Sequence, residues 1–387
     1  MNKQIYPLLI AQFLSAFADN AILFTVIALV IQTEQLASWY VPALQSVFIV
    51  AFVLLAPWVG AFADTHAKPR VLIVANLIKA LGAGLLLLNV EPLIAYCLVG
   101  IGAAIYSPAK YGILPELADK ETLVKANSWI EGSTISAILL GMIVGAKVAD
   151  YSIQWALIGS IIIFIISAAV SLLLPKNISK KPEQGSKVIR FYQQTRLFFI
   201  TPRSRFAILG ASLFWATAAT VRVIIIAWAP MVLMTENASD IAELTLFLAV
   251  GIIVGSALVP HLIPLDFLGR ARIPAYCMAV FIIALSFTDT VWSARIALFA
   301  IGMAGGMFIV PINAALQELG QESIGSGGAV ALQGFFQNVA MLIAVGSYTY
   351  AASQQVDPVT ALFGLGTFVF IATLLVSLHL PKNKSIS

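Results

Sequence analysis

Apolar runs of about 20 residues, long enough to carry an α-helix across a hydrocarbon core of about 30 Å, recur twelve times along the chain. They cover Tyr6–Ile31, Val41–Ala63, Val71–Leu88, Leu93–Ser107, Asn127–Ala149 and Trp155–Leu174, and then Phe206–Met234, Ile241–Ile263, Ile273–Phe287, Ser293–Val310, Gly328–Tyr350 and Val359–Leu380. Within each run the apolar residues are continuous rather than alternating. That pattern predicts helices rather than barrel strands, and a helix satisfies every backbone N–H and C=O inside lipid. The one long polar stretch, Pro175 to Arg205, divides the runs six and six. The expected architecture is an all-α membrane protein of twelve transmembrane helices in two pseudo-symmetric six-helix bundles. The expected units are an N-terminal bundle over 1–175, a basic cytoplasmic linker over 176–205 and a C-terminal bundle over 206–387.

The halves repeat one another. Gly60, Asp64, Lys68 and Arg70 space as G-x3-D-x3-K-x-R between the second and third runs, and Asp266, Arg270 and Arg272 restate D-x3-basic-x-basic 202 residues later. Glu131-Gly132 is echoed by Gln333-Gly334 at the same offset, and Pro108 by Pro311 one residue further on. Weak matches kept in register over three regions predict a duplicated unit.

Composition agrees with this layout. Hydrophobic residues make up 60% of the 387, charged residues 10%, and mean hydropathy is +0.96, too little polar surface for a water-soluble fold of this length. Cys97 and Cys277 lie inside apolar runs, so no disulfide framework is expected. Three histidines with no cysteine or carboxylate cluster at ligand spacing give no reason to expect a metal, and no basic block interleaved with aromatics suggests nucleic acid. Lys3 followed by an apolar run and Ala16-Phe17-Ala18 imitates a signal peptide. The run continues to Ile31, however, so an uncleaved first helix is expected. With the N-terminus inside, 18 of the 22 basic residues fall in inner loops or tails, and the outer loops hold no Lys or Arg. This asymmetry places both termini in the cytoplasm. The linker carries Lys176, Lys180, Lys181, Lys187, Arg190, Arg196, Arg203 and Arg205 against Glu183 alone. Its aromatic and apolar middle either lies on an anionic leaflet or forms a solvated tether.

Candidate chemistry sits where charge interrupts the spans, because an ionisable residue at mid-bilayer costs about 2.5–3.5 kcal/mol on insertion scales. Asp19, beside Asn20, is about halfway along the first helix, and Arg222 is slightly past halfway along the seventh, at near-equivalent repeat positions. Opposite charges at matched depth suggest an ion pair between the halves; the other reading pairs each within its own half. Lys79 has Glu131 or polar neighbours such as Asn76 as candidate partners. Lys147, near the outer end of its helix, is expected to snorkel. Lys110 follows Pro108 in Ser107-Pro108-Ala109-Lys110-Tyr111-Gly112. It is either a cation at a broken helix end that meets a phosphate, or an ordinary inner-loop charge. His261 and Asp266 make an H-x4-D spacing found in acyltransferases, but Asp266 already belongs to the repeated loop and no other such block appears. An enzyme is therefore not expected.

The Gly60–Arg70 loop resembles the signature loop of the major facilitator superfamily. Within that superfamily the chain is similar to the bacterial lysophospholipid transporter family. The resemblance is carried by Ala11-Gln12-Phe13-Leu14-Ser15-Ala16-Phe17-Ala18-Asp19-Asn20-Ala21 and Tyr106-Ser107-Pro108-Ala109-Lys110-Tyr111-Gly112-Ile113-Leu114. Val124-Lys125-Ala126-Asn127, Glu131, Ser212-Leu213-Phe214-Trp215 and Val310-Pro311-Ile312-Asn313-Ala314 extend it over nearly the whole chain. The resemblance implies the major facilitator fold. It also implies movement of lysophospholipids such as lysophosphatidylethanolamine from the outer to the inner leaflet of the bacterial inner membrane. There, a cytoplasmic-side acyltransferase/acyl-carrier-protein synthetase would re-acylate them. It implies no cofactor and no ion gradient. Asp19, Lys110 and Arg222 match polar positions important for the family's transport, with Asn20, Lys79 and Glu131 completing the candidate substrate and gating set. Without the resemblance, the same sparse charges also suit an exporter of amphipathic drugs, proton-coupled through Asp19.

Overall fold

The computed structural model describes residues 5–32, 39–117, 120–175, 187–235, 237–262, 265–323 and 326–378. Each predicted span corresponds to a helix. These are α1 (Ile5–Gln32), α2 (Tyr40–Thr65), α3 (Lys68–Leu87), α4 (Pro92–Leu117), α5 (Lys120–Tyr151) and α6 (Ile153–Ser171) in the first half. A helix in the linker follows, α7 (Lys187–Phe198). The second half comprises α8 (Pro202–Leu233), α9 (Ala238–Leu262), α10 (Arg272–Leu285), α11 (Val291–Ser323), α12 (Ser326–Ser353) and α13 (Pro358–Ser377), with a 3-10 segment at Leu265–Ala271 before α10. Among the described residues, ten helices are long and apolar enough to cross a membrane, and α2 adds a shorter apolar stretch, Tyr40–Ala56.

Helix starts follow local chemistry. Ser152 caps α6 by accepting from the Trp155 amide at 3.4 Å. Thr201 and Asp357 accept from Ser204 and Thr360, each at 3.2 Å, and each is followed by a proline that has no amide to leave orphaned. Two helices run further than expected. The fourth span was expected to end at Ser107 and the tenth at Val310, each just before a proline. Instead α4 continues through Pro108 to Leu117, and α11 through Pro311 to Ser323. Proline removes one intrahelical bond, and packed neighbouring helices in a membrane bundle tolerate that loss. Lys110 therefore lies inside a continuous helix and not at a broken end. The aromatic middle of the linker forms α7, with Tyr192 and Leu197 exposed and Phe199 just beyond it against the Phe336 ring at 5.1 Å.

The helices sort into two compact units. The first holds α1–α6 less the first three residues of α2, and takes the opening residues of α9 through Ala242. The second holds α7 from Val188, α8, the rest of α9 and α10–α13. Packing within the units obeys one rule. In the first, α1 packs on α5 and α6, and α3 on α4 and α6; in the second, α8 packs on α12 and α13, and α10 on α11 and α13. These are the same four pairings seven helices later, the structural form of the sequence repeat. Many large apolar side chains face outward, including Leu54, Trp58, Leu81, Trp155, Leu172, Phe368 and Leu375. On a soluble monomer so large an apolar surface would aggregate; here it is the surface for lipid.

Close backbone approach replaces the hydrophobic driving force that lipid removes. On α9, Gly251 and Gly255 face the backbone of α11 at Phe299 and Met303, and on α11, Gly302 and Gly306 face α9 at Leu248 and Ile252. Gly100, 202 residues before Gly302, meets the Phe48 backbone of α2 in the same way. Gly255→Ala should therefore lower the melting temperature. Overpacking costs about 1–3 kcal/mol, more than the roughly 1 kcal/mol that alanine gains over glycine in a helix. Gly364→Ala, where an added Cβ meets nothing within 4 Å, should leave it level or raise it. Thermal unfolding of both purified variants in detergent checks this, and an unchanged melting temperature for Gly255→Ala contradicts the close α9–α11 packing.

Candidate functional site

The first unit encloses a connected polar chain in apolar surroundings. Asp19 lies near the midpoint of α1, with Ser15 one turn before it on the same face. On α3, Asn76 and Lys79 share a face one turn apart, and on α4 Tyr106 and Lys110 do the same. The Lys79 ammonium, on a side chain only 1% exposed, donates to Asp19 Oδ2 at 2.7 Å and to Ser15 Oγ at 2.9 Å. The Tyr106 ring lies beneath it with its centroid at 4.6 Å, and the Phe164 ring of α6 lies at 5.5 Å. Ser15 donates in turn to Asn76 Oδ1 at 2.8 Å. Asn76 donates to Ser167 Oγ at 2.9 Å, and Ser167 donates to the Ala11 carbonyl at 2.7 Å. The chain thus runs from Lys79 on α3 to α1, back to Asn76 on α3, on to α6 and again to α1.

Each feature has a packing cause. The Lys79 stem crosses α4 at Gly102, where an added Cβ would stand 2.6 Å from Lys79 Cγ. Any larger residue there would clash with that stem and with the Ala75 carbonyl of α3. An ammonium has three donors. Two go to oxygen acceptors, and the third is left with an aromatic face, a favourable partner in a dry site. Lys110 is buried at 7% exposure on α4, near enough to Asp19 for the two charges to interact. The Asp19 side chain is 22% exposed overall, while its Oδ1 is buried and accepts no hydrogen bond among the described residues.

This arrangement gives Asp19 a partner inside its own half, Lys79, as the second of the two sequence readings allowed. Hydropathy gives a residue's depth but not which way it faces around the helix. Matched depth therefore suggested Arg222, whereas the α1–α3 facing and the gap at Gly102 select Lys79. Arg222 stands half-buried on α8 in the second unit. Lys79 takes Asp19 and Ser15 as direct partners and reaches Asn76 through Ser15. Asn20 bonds back to the Ala16 carbonyl of its own helix at 2.9 Å. Lys147 is exposed. In the loop motif, Lys68 opens α3, is 9% exposed, and lays its stem over Gly112. Arg70, Arg270 and Arg272 are exposed. The surroundings of Gly60 and the side chains of Asp64, Glu131, His261 and Asp266 lie outside the described residues. Sequence reasoning missed Ser15, Tyr106, Gly102 and Ser167. Ser15 and Asp19 at i, i+4, and Asn76 and Lys79 at i, i+3, were a legible sign that polar residues inside apolar spans share a face.

Comparison with known proteins places the chain. The family model described as Major Facilitator Superfamily matches residues 8–345. The lysophospholipid transporter LplT of Klebsiella pneumoniae subsp. pneumoniae is 41% identical over 379 residues, covering 96% of this chain and 94% of that protein. LplT of Salmonella typhi is 40% identical over 366 residues, covering 92% and 90%. Among solved structures, a point mutant of the nucleoside transporter NupG superposes with a TM-score of 0.75 at 13% identity over 97% of this chain and 98% of that one. A POT family transporter in complex with 5-aminolevulinic acid gives 0.74 at 13% identity over 97% and 96%. These structures share the fold. With ten helices among the described residues long and apolar enough to cross a membrane, two units packed by one rule and relatives of this identity over nearly full length, the chain belongs to the major facilitator superfamily and, within it, to the family of these lysophospholipid transporters.

Proposed function

We propose that the chain transports lysophospholipids, carrying species such as lysophosphatidylethanolamine from the outer to the inner leaflet of the bacterial inner membrane. The observation that carries this reading is the buried ionic network of the first unit: Lys79 sits on Asp19, with the buried Lys110 interacting with the same carboxylate, in an otherwise apolar bundle. Cations in a site of low dielectric attract an anionic group, and a lysophospholipid brings a phosphate on a single acyl chain. The apolar surroundings suit that chain and not a sugar, which would need polar groups along its path. Relatives named lysophospholipid transporters support the same substrate class.

In this reading residues 1–175 and 206–387 act as the moving bundles and 176–205 as their tether. Gly60, Asp64, Lys68 and Arg70, with Asp266, Arg270 and Arg272, bias the conformational equilibrium from the inner face. Arg222 contributes a second cation from its own bundle. Both termini lie in the cytoplasm, and a cytoplasmic-side acyltransferase consumes the product. Proton coupling through Asp19 is disfavoured, because protonating the carboxylate would leave the buried Lys79 ammonium without its counter-ion.

Spheroplasts lacking their own transporter and expressing this chain should take up labelled lysophosphatidylethanolamine, and a protonophore should leave the initial rate nearly unchanged. Uptake that collapses with the proton gradient would favour a proton-coupled exporter fold working in reverse and count against this mechanism. Lys110→Gln should fold and insert yet raise the half-saturating lipid concentration roughly tenfold or more, the worth of one hydrogen bond to a charged group. Lys110→Arg should keep part of the affinity, since the charge stays and the geometry changes. Equal half-saturation for wild type and Lys110→Gln leaves Lys110 a structural charge only.

A further inference from the structure

A second charged constellation lies in the second unit, far along the chain from the Asp19 network. Arg295, in the second turn of α11, donates from Nη2 to Glu243 Oε2, in the second turn of α9, at 2.8 Å. The guanidinium carbon is 5.3 Å from the Phe247 ring centroid and 5.1 Å from that of Trp292. The Arg295 side chain is 22% exposed and Glu243 is 49% exposed. Both helix ends belong to the face that the Lys and Arg distribution assigns to the outside, where the loops contain no basic residue.

A clasp between α9 and α11 is the plainer explanation of this pair. Those helices are already fixed by the backbone contacts of Gly251, Gly255, Gly302 and Gly306 deeper in the same interface, and an exposed ion pair adds little to such packing. The geometry of the guanidinium points elsewhere. Aromatic rings beside it orient the plane and leave its N–H edge for partners lying in that plane. Glu243 engages one nitrogen through one oxygen, and Arg295 Nε is buried with no acceptor among the described residues. The Glu243 side chain is half exposed. An oriented cation and an exposed anion side by side, at the depth of the outer headgroups, form the complement of a zwitterion that carries phosphate and ammonium a few ångströms apart.

We propose that Glu243 and Arg295, with Phe247 and Trp292 as a rim, form an outer-leaflet docking site for a zwitterionic phospho-ethanolamine headgroup. Arg295 receives the phosphate and Glu243 the ammonium. The proposal rests on the transport reading above and deepens it by naming where substrate is first held and which headgroup feature is read. The ion pair loosens as the two ligand charges insert, so no charge is left without a partner. Docking precedes translocation, so the site acts on apparent affinity and leaves the maximal rate alone.

The test is initial uptake against concentration in spheroplasts lacking their own transporter. It compares lysophosphatidylethanolamine with lysophosphatidylglycerol, which has the phosphate but no ammonium. Glu243→Gln should raise the half-saturating concentration roughly fivefold for the ethanolamine lipid and leave the glycerol lipid unchanged. Arg295→Gln should raise it for both, Arg295→Lys should recover part of the loss, and maximal rates at matched membrane abundance should stay level. A clasp that only braces the helices predicts lower abundance or lower maximal rate for both lipids alike, and that outcome overturns the dock. Wild type that takes up both lipids while Glu243→Gln alters neither overturns the dock alone. Wild type that takes up neither overturns the proposed transport and the dock together.

Discussion

A lysine ammonium buried to 1% exposure inside an apolar bundle must be neutralised on the spot, and the first unit is arranged around that requirement. Removing one partner of a buried pair typically costs about 3–5 kcal/mol, a large part of the stability of any bundle of this size. Asp19 supplies the counter-charge, Ser15 the second acceptor and Tyr106 the aromatic face, while Gly102 stays small so that the stem can pass. Asn76 and Ser167 extend the chain of hydrogen bonds and tie three helices together. The same network that holds α1, α3 and α6 in register also carries the Asp19 carboxylate, with which Lys110 interacts. Structure and candidate function share these atoms.

Duplication supplied the scaffold and left the charges on one side. The positions 202 residues after Asn76, Lys79, Tyr106 and Ser167 are Met278, Phe281, Phe308 and Val369, all apolar. Met278, Phe308 and Val369 are buried core residues. The helix pairings of the two units are alike, yet one encloses an ionic network and the other a hydrocarbon core at equivalent sites. Equivalent backbones thus accommodate either a hydrogen-bonded ionic network or a packed apolar core. The second unit keeps Arg222 on α8, next to the position equivalent to Asp19.

Much of this was legible in the sequence, for a definite reason. A span must be apolar for about 20 residues whatever it packs against, so the apolar runs could be read directly. The repeat could be read because motif spacing survives where side chains diverge. Helix ends at Pro108 and Pro311 were misjudged because proline's effect depends on neighbours that composition does not reveal. Lys79 was not singled out as the partner of Asp19 because hydropathy gives depth without azimuth. The i, i+4 pairing of Ser15 with Asp19 and the i, i+3 pairing of Asn76 with Lys79 did carry azimuthal information, and would have turned both polar faces toward each other. Arg295 drew no notice because it sits near the end of a span, where a snorkelling cation is ordinary; only its aromatic neighbours and its carboxylate set it apart.

The central claim is that the charge of Asp19 is balanced by Lys79 within the first bundle. A double-mutant cycle on stability in detergent measures it directly, using Asp19→Asn, Lys79→Met and the double variant, beside a second cycle of Asp19→Asn with Arg222→Gln. The account predicts a coupling of roughly 2–3 kcal/mol in the first cycle, near the upper end for directly interacting residues, with the double variant more stable than Asp19→Asn alone, and near additivity in the second. Additive effects of Asp19→Asn and Lys79→Met, together with strong coupling between Asp19→Asn and Arg222→Gln, would contradict it.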